Sequence, residues 1–298
     1  MKSSAAAFLG LVISSGAFAA PPDPAAHRAE VEAFRKQRDA SLRKEDGWLT
    51  LVGLSWLEEG DNAVGSAKGS RVLLPRGKAP EKLGVIRLEK GAATFTTAPG
   101  ATVTEGGKPV TTAVLKPDSS GAPTLLSHGT LAFHLIGRGA KVGVRVKDRE
   151  AETLKRFKGV ESFPLDPSFR FVAKFEPSSP AKKIEVPNVL GTPEMQDSPG
   201  AVVFTRDGRT YRLDALVGGP KGELFLVFGD QTNAKETYGG GRFLHTPPPA
   251  ADGTVVVDFN RAINPPCVFT PYATCPLPPK ENRLVLRVTA GEKIYGKH

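Results

Sequence analysis

The chain has 298 residues, 40% of them hydrophobic and 24% charged, with 40 Lys and Arg against 31 Asp and Glu and a formal net charge of +9. Its 32 glycines and 26 prolines show no Gly-X-Y period, which excludes collagen; the apolar content likewise excludes a disordered tail. So many chain-punctuating residues predict short strands and tight turns, with enough apolar material for one large core or two of ordinary size.

The first nineteen residues read as a signal peptide. Lys2 is the only charge before Asp23, an apolar stretch runs from Ala5 to Ile13, and Ala17-Phe18-Ala19 is a small-x-small cleavage site. The apolar stretch is shorter than the roughly 20 residues of a spanning helix. The expectation is an exported protein, periplasmic or secreted, that does not span a membrane once the leader is removed. The basic residues are scattered singly or in pairs such as Arg35-Lys36 and Lys182-Lys183. That distribution is a solvated surface rather than the dense stripe of a nucleic-acid protein, and no nucleic-acid partner is expected.

Residues 20–46 hold a Pro/Ala leader and one amphipathic helix, with Val31, Phe34, Arg38 and Leu42 at three- and four-residue steps. Gly47 is placed to end the helix, whose stripe should pack on the unit that follows. Residues 47–147 read as a small β-sandwich. Both tryptophans, Trp48 and Trp56, fall in its first apolar run and are expected in the core. Lys141 to Lys147 alternates strictly, as a strand with one face on a core does. Residues 148–298 read as a second β-sheet or barrel. In it Arg206-Asp207-Gly208-Arg209 is a two-residue hairpin signal, and Asn264 to Asn282 is a long loop with six prolines and both cysteines. The fold class is mainly β.

Standard chemical motifs are missing. Gly53-Leu54-Ser55-Trp56-Leu57 fails the nucleophile-elbow pattern at its last position, and the glycines of Gly60 to Ser66 lack a phosphate-binding lysine. Gly137, Gly139 and Gly143 miss the dinucleotide spacing. Histidines 27, 128, 134, 245 and 298 form no local ligand pair. A zinc site from Cys267, Cys275 and His245 is the weakest reading, so neither metal nor cofactor is expected.

The most informative stretch runs from Asp230 to Glu292, through Tyr238-Gly239-Gly240-Gly241-Arg242-Phe243-Leu244, Asp258-Phe259-Asn260-Arg261-Ala262-Ile263-Asn264-Pro265-Pro266-Cys267 and Ala290-Gly291-Glu292-Lys293. With the Trp48 to Leu57 segment, this run resembles the signature of an uncharacterised, mainly bacterial family, domain-of-unknown-function family 1684, from about Gly47 to Lys293. Ile263 stands where that signature suggests an aromatic. The resemblance implies no activity. The first β unit also resembles a forkhead-associated sandwich, without the Arg and Ser-x-x-His that such domains use on phosphothreonine, so no function follows from it.

The residues themselves point to a polar site. Alternation puts Val255, Val257 and Phe259 on a core face and Val256, Asp258 and Asn260 on the other. Tyr238, Arg242, Asp258, Asn260, Arg261 and Asn264 supply the donors and acceptors that a pocket for a small polar or anionic ligand needs. The alternatives are a hydrolase or lyase in which Asp258 acts with His245 or Tyr238, and a purely structural or partner-binding module in which Asp258 and Arg242 pair in a buried brace. Cys267 and Cys275, the only cysteines, are expected to form a disulfide in an oxidising compartment.

Overall fold

A computed structural model describes residues 23–296. The signal-peptide reading of residues 1–19 lies outside the described residues. Asp23 and Pro24 start the helix α1 (Pro24–Leu42), a cap residue and a first-turn proline whose missing N–H has no partner to lose. The helix ends at Leu42, five residues before Gly47, because Arg43 takes the capping position and its N–H bonds the Asp39 carbonyl at 3.2 Å.

Eleven strands follow within residues 51–148: β1 (Leu51–Trp56), β2 (Gly60–Gly65), β3 (Val72–Leu73), β4 (Gly84–Glu89), β5 (Ala92–Thr97), β6 (Thr104–Glu105), β7 (Lys108–Pro109), β8 (Thr112–Leu115), β9 (Leu126–His128), β10 (Leu131–Arg138) and β11 (Lys141–Asp148). They make two sheets, ordered β1-β11-β10-β9-β6-β7 and β3-β2-β4-β5-β8. One apolar core fills the space between them, and Phe95 of one sheet meets Phe133 of the other edge-on at 5.6 Å. The strict alternation of β11 holds, with Val144 and Val146 fully buried in that core.

A short helix, α2 (Glu152–Lys155), leads to a third sheet of β12 (Arg170–Val186), β13 (Glu194–Arg206), β14 (Arg209–Val217), β15 (Leu224–Phe228), β16 (Arg242–Thr246) and β17 (Thr254–Asp258). Its order is β16-β15-β14-β13-β12-β17, and it curls into a half-barrel. Phe243 on one edge exchanges backbone hydrogen bonds of 2.9 and 2.8 Å with Ile263, just beyond the strand at the other edge. The β13–β14 hairpin turns on Asp207 and Gly208, both at positive φ, as Asp-Gly predicts. Val255, Val257 and Phe259 point into the barrel core.

Among the described residues from 259 to 296 there is no strand, only short 3-10 turns joined by extended coil. The disulfide Cys267–Cys275 closes one loop of this coil. The coil also reaches the first sheet: Thr270 Oγ1 donates to the Leu51 carbonyl at 3.1 Å, and Arg138 and Arg145 each donate to Thr274 Oγ1 at 3.0 Å.

Two expectations need correction. The stripe of α1 packs on the C-terminal coil and not on the sandwich, because it is as polar as it is apolar: His27, Arg35 and Arg38 share it with Val31 and Leu42 and find their partners at Asp258, Phe163, Asn264 and Glu292. Trp48 and Trp56 are half-buried covers rather than core; Arg145 lies over the Trp48 ring at 5.1 Å and Lys141 over the Trp56 ring at 5.8 Å.

Candidate functional site

Arg242 opens β16 and is completely buried. Its Nη2 donates to Asp230 Oδ2 and to the Val288 carbonyl, both at 2.8 Å; its Nη1 donates to the carbonyls of Ala290 and Glu292. Asp230 Oδ1 accepts from the Thr232 amide and hydroxyl at 2.8 and 2.6 Å. Burial lowers the Arg242 pKa while Asp230 opposes that shift. The buried brace therefore joins Arg242 to Asp230, not to Asp258, and it fastens the coil at 288–292 to the barrel. Gly241, just before it, sits at φ 86°, and a Cβ there would lie 2.5 Å from Pro278. That close packing accounts for this glycine.

Asp258 ends β17 and caps the following 3-10 turn, its Oδ1 accepting from the Asn260 amide at 3.0 Å and from Asn260 Nδ2 at 2.8 Å. Its Oδ2 lies 2.8 Å from His27 Nε2, with both side chains buried. Asn260 pairs through its side chain with both backbone groups of Asp166, at 2.9 Å each. Asn264 donates its amide to Glu292 Oε2 at 2.6 Å and its side chain to the Lys293 carbonyl at 2.7 Å. Arg261 stacks on Phe34 of the helix, 4.7 Å from the ring centre.

The other expected participants lie elsewhere. His245 is exposed and stacks on Phe225 at 4.7 Å, and its desolvation there lowers its pKa. Tyr238 packs half-buried against the cluster of Leu42, Phe157 and Phe269. The partner that Asp258 does take is His27, which sits on the first turn of α1. The signal was present, since His27 lies four residues before Val31 on the buried stripe.

Where α1 crosses this coil there is a cavity of about 110 Å³, lined by Phe34, Arg35, Arg38, Asn260, Ala262 and Glu292 among others. Arg38 Nε donates to Glu292 Oε1 at 3.0 Å and its Nη2 to the Asn264 carbonyl at 3.0 Å. Arg35 donates to the Phe163 carbonyl at 3.0 Å and, among the described residues, has no carboxylate within 4 Å; burial lowers its pKa. Three buried polar atoms in this region have no hydrogen-bond partner: Arg35 Nε on the cavity wall, and Arg261 Nε and Asn264 Oδ1 on the adjoining coil. Two are cationic donors and one is an acceptor. Among the described residues, no group of three or more His, Cys, Asp and Glu could hold a metal ion.

Residues 155–293 match the family described as "Protein of unknown function (DUF1684)", a shorter stretch than the resemblance from Gly47 suggests. An uncharacterised protein of Haloarcula marismortui, solved by NMR in solution, is 29% identical, covering 47% of this chain and 78% of that one with a TM-score of 0.40. Two forkhead-associated (FHA) domain structures align at 16% and 18% identity. One is the FhaA FHA domain bound to an intracellular domain; the other comes from a study of phosphothreonine-dependent interactions. They cover 31% and 33% of this chain and 96% of each of theirs, with TM-scores of 0.23. No curated protein matches the chain.

Proposed function

We propose that the protein is an exported binding protein for a small oxyanion, a carboxylate that also carries a hydroxyl or ammonium donor, held beneath α1. The observation that carries this reading is a small cavity with the unpartnered, buried Arg35 Nε on its wall and two more unpartnered buried atoms, Arg261 Nε and Asn264 Oδ1, on the adjoining coil. A buried polar atom without a partner costs about 1–3 kcal/mol, and such atoms gathered in one region call for an occupant that pairs them. The guanidinium groups of Arg35 and Arg261 match oxyanion geometry, and Asn264 Oδ1 selects for a donor on the same molecule. The cavity suits a metabolite of few atoms and is too small for a drug-sized ligand.

The reading keeps Asn260, Arg261 and Asn264 at the site, leaves Asp258 as the group that orients His27, and gives Arg242 and Tyr238 structural work. A hydrolase or lyase is the second reading, and the buried His27–Asp258 pair is what favours it.

Thermal unfolding tests the proposal with glycolate, malate, glycine, acetate, sulfate and phosphate against matched chloride. A ligand at about ten times its Kd contributes about 1.4 kcal/mol, a rise of about 2–5 °C for a protein of this size. Wild type is expected to respond to a hydroxy- or amino-carboxylate more than to acetate, and Arg35→Gln to lose the response. A panel in which nothing exceeds chloride, or an Arg35→Gln protein that responds as wild type does, ends the proposal.

A further inference from the structure

A second site lies on the outer face of the sandwich, away from α1. Strand register lines up Lys147, Ala132, Ser127 and Thr104 across β11, β10, β9 and β6 on the face opposite the core. The next row pairs His134 with Arg145. The C-terminal coil covers the Arg145 end of this face through Thr274 and leaves the rest open. What remains is a groove of about 770 Å³ lined, besides these strands, by Leu125, Pro123, Glu45, Asp46 and Arg149. Its volume is that of a drug-sized ligand site. The row across four strands is about 14 Å long, three inter-strand spacings.

Strands β10 and β11 contribute only cations to this face, while the groove's carboxylates, Glu45 and Asp46, come from the segment before β1, where Arg149 lies 3.9 Å from Glu45. Lys147 Nζ donates to the Asp46 carbonyl at 2.6 Å and, among the described residues, has no carboxylate within 4 Å. Arg145 is 7% exposed, spends one nitrogen on the Thr274 hydroxyl, and has an unpartnered buried Nε. The carboxylate of Asp118 is taken up by Arg138 at 2.9 Å. Burial next to Lys147, Arg145 and Arg138 holds the His134 pKa down at about 4, so the imidazole is neutral at pH 7 and adds no charge to this face. Leu125 meanwhile exposes 47% of its surface on the wall of the same groove. A cation at one end of an apolar trough matches one ligand chemistry, an anionic head on an apolar body.

We propose that this groove binds a single anionic amphiphile, with a carboxylate head at Lys147 and a medium-length acyl chain laid along Ala132 and Leu125 towards Thr104. The site is separate from the small-anion cavity and does not depend on it.

Calorimetric titration with octanoate, decanoate and dodecanoate, each below its micelle concentration, and with 1-dodecanol as the uncharged control, tests the proposal. Affinity should rise about tenfold for each two carbons added, as the transfer of two methylenes from water predicts. Lys147→Gln should weaken dodecanoate at least tenfold and leave dodecanol unchanged, as loss of a charge-assisted contact does. Leu125→Asp, at an exposed position that folding tolerates, should abolish binding of both. The proposal is overturned if wild type shows no saturable binding of dodecanoate, if Lys147→Gln affects acid and alcohol alike, or if Leu125→Asp binds as wild type does. Arg35→Gln is expected to bind dodecanoate normally, which separates failure here from failure of the small-anion reading.

Discussion

The sandwich of residues 51–148 and the half-barrel with its trailing coil solve the same problem with different materials. The sandwich buries an almost purely apolar layer, and its fully buried side chains include Phe95, Phe133, Ile86 and Leu83. The C-terminal region buries an apolar barrel core too, but around it lie Arg242, Asp230, Asp258, Asn260, Asn264, Asn282 and Glu292, all under 10% exposed. The reason is the coil. From residue 259 to 296 the backbone runs without a strand ladder, so its amides and carbonyls need side-chain partners. Asn282 shows the pattern: it accepts from the Asp214 amide and donates to the carbonyls of Asp214 and Val227. A sheet satisfies its own backbone, whereas an irregular segment borrows buried polar side chains to do so, and such residues mimic a binding site in the sequence.

The largest expected effect tests that contrast directly. Arg242→Met leaves Asp230 buried without its partner and strips the Val288 and Ala290 carbonyls of their donor, a loss of about 3–5 kcal/mol in urea unfolding. Phe133→Ala should cost a similar 3–5 kcal/mol through the cavity it leaves. The two differ in rescue. Asp230→Leu added to Arg242→Met should restore part of the loss, since an unpaired buried charge is removed, while no polar change rescues Phe133→Ala. If the double variant is no more stable than Arg242→Met, Arg242 acts on the coil carbonyls rather than as an ion-pair partner.

Acid provides the second test, now on the sandwich. The folded protein keeps His134 neutral down to about pH 4, against an ordinary 6.5. The unfolded chain therefore takes up a proton that the folded one refuses between those values. The stability tied to His134 is complete above pH 6.5 and is lost as pH falls towards 4, by about 2–3 kcal/mol. His134→Leu should flatten this part of the stability–pH curve by that amount. A curve with the same slope in the variant assigns acid sensitivity to other groups.

What could be read in the sequence follows from the same contrast. Period-two alternation placed Val144 and Val146, and Val255, Val257 and Phe259, on their cores, because a strand's faces are fixed by local geometry. The Asp207-Gly208 turn was equally local. The pairing of polar residues was not. Asp258 and His27 are 231 positions apart, and Arg38 and Glu292 are 254 apart. No spacing rule reaches so far; His245 and Tyr238 are close to Asp258 in the sequence, but the residue set against it in space is His27. Trp48 and Trp56 misled for a related reason: their rings cover a sheet's outer face, where Arg145 and Lys141 meet them, and hydrophobicity alone does not distinguish a cover from a core.

The disulfide and the coil offer a third, comparable effect. Cys267 and Cys275 close a loop of eight positions, and replacing both with Ser should cost about 2–3 kcal/mol. Because Thr270 and Thr274 on that loop hold Leu51, Arg138 and Arg145, the loosening should extend to the sandwich face. Hydrogen exchange should speed up at β1 as well as in the coil. Exchange confined to residues 264–282 would show that the two regions are coupled less tightly than these bonds imply.

The smallest expected effect concerns how α1 is held. His27 contributes one hydrogen bond to Asp258, which keeps two further bonds from Asn260 when His27 is removed. His27→Ala should therefore cost about 1–2 kcal/mol, less than Arg242→Met, because it breaks one hydrogen bond and strips no coil carbonyl of its donor. The loss should also be local. The helix buries His27, Val31 and Leu42, and Arg35 and Arg38 hold its middle, so releasing the His27 end favours undocking of its N-terminal turns over global unfolding. Limited proteolysis near Arg28 is expected to accelerate about tenfold while the midpoint of global unfolding moves little. If His27→Ala instead lowers the global midpoint as far as Arg242→Met does, then the helix is an integral wall of the half-barrel, and the cavity beneath it is fixed rather than opened by helix motion.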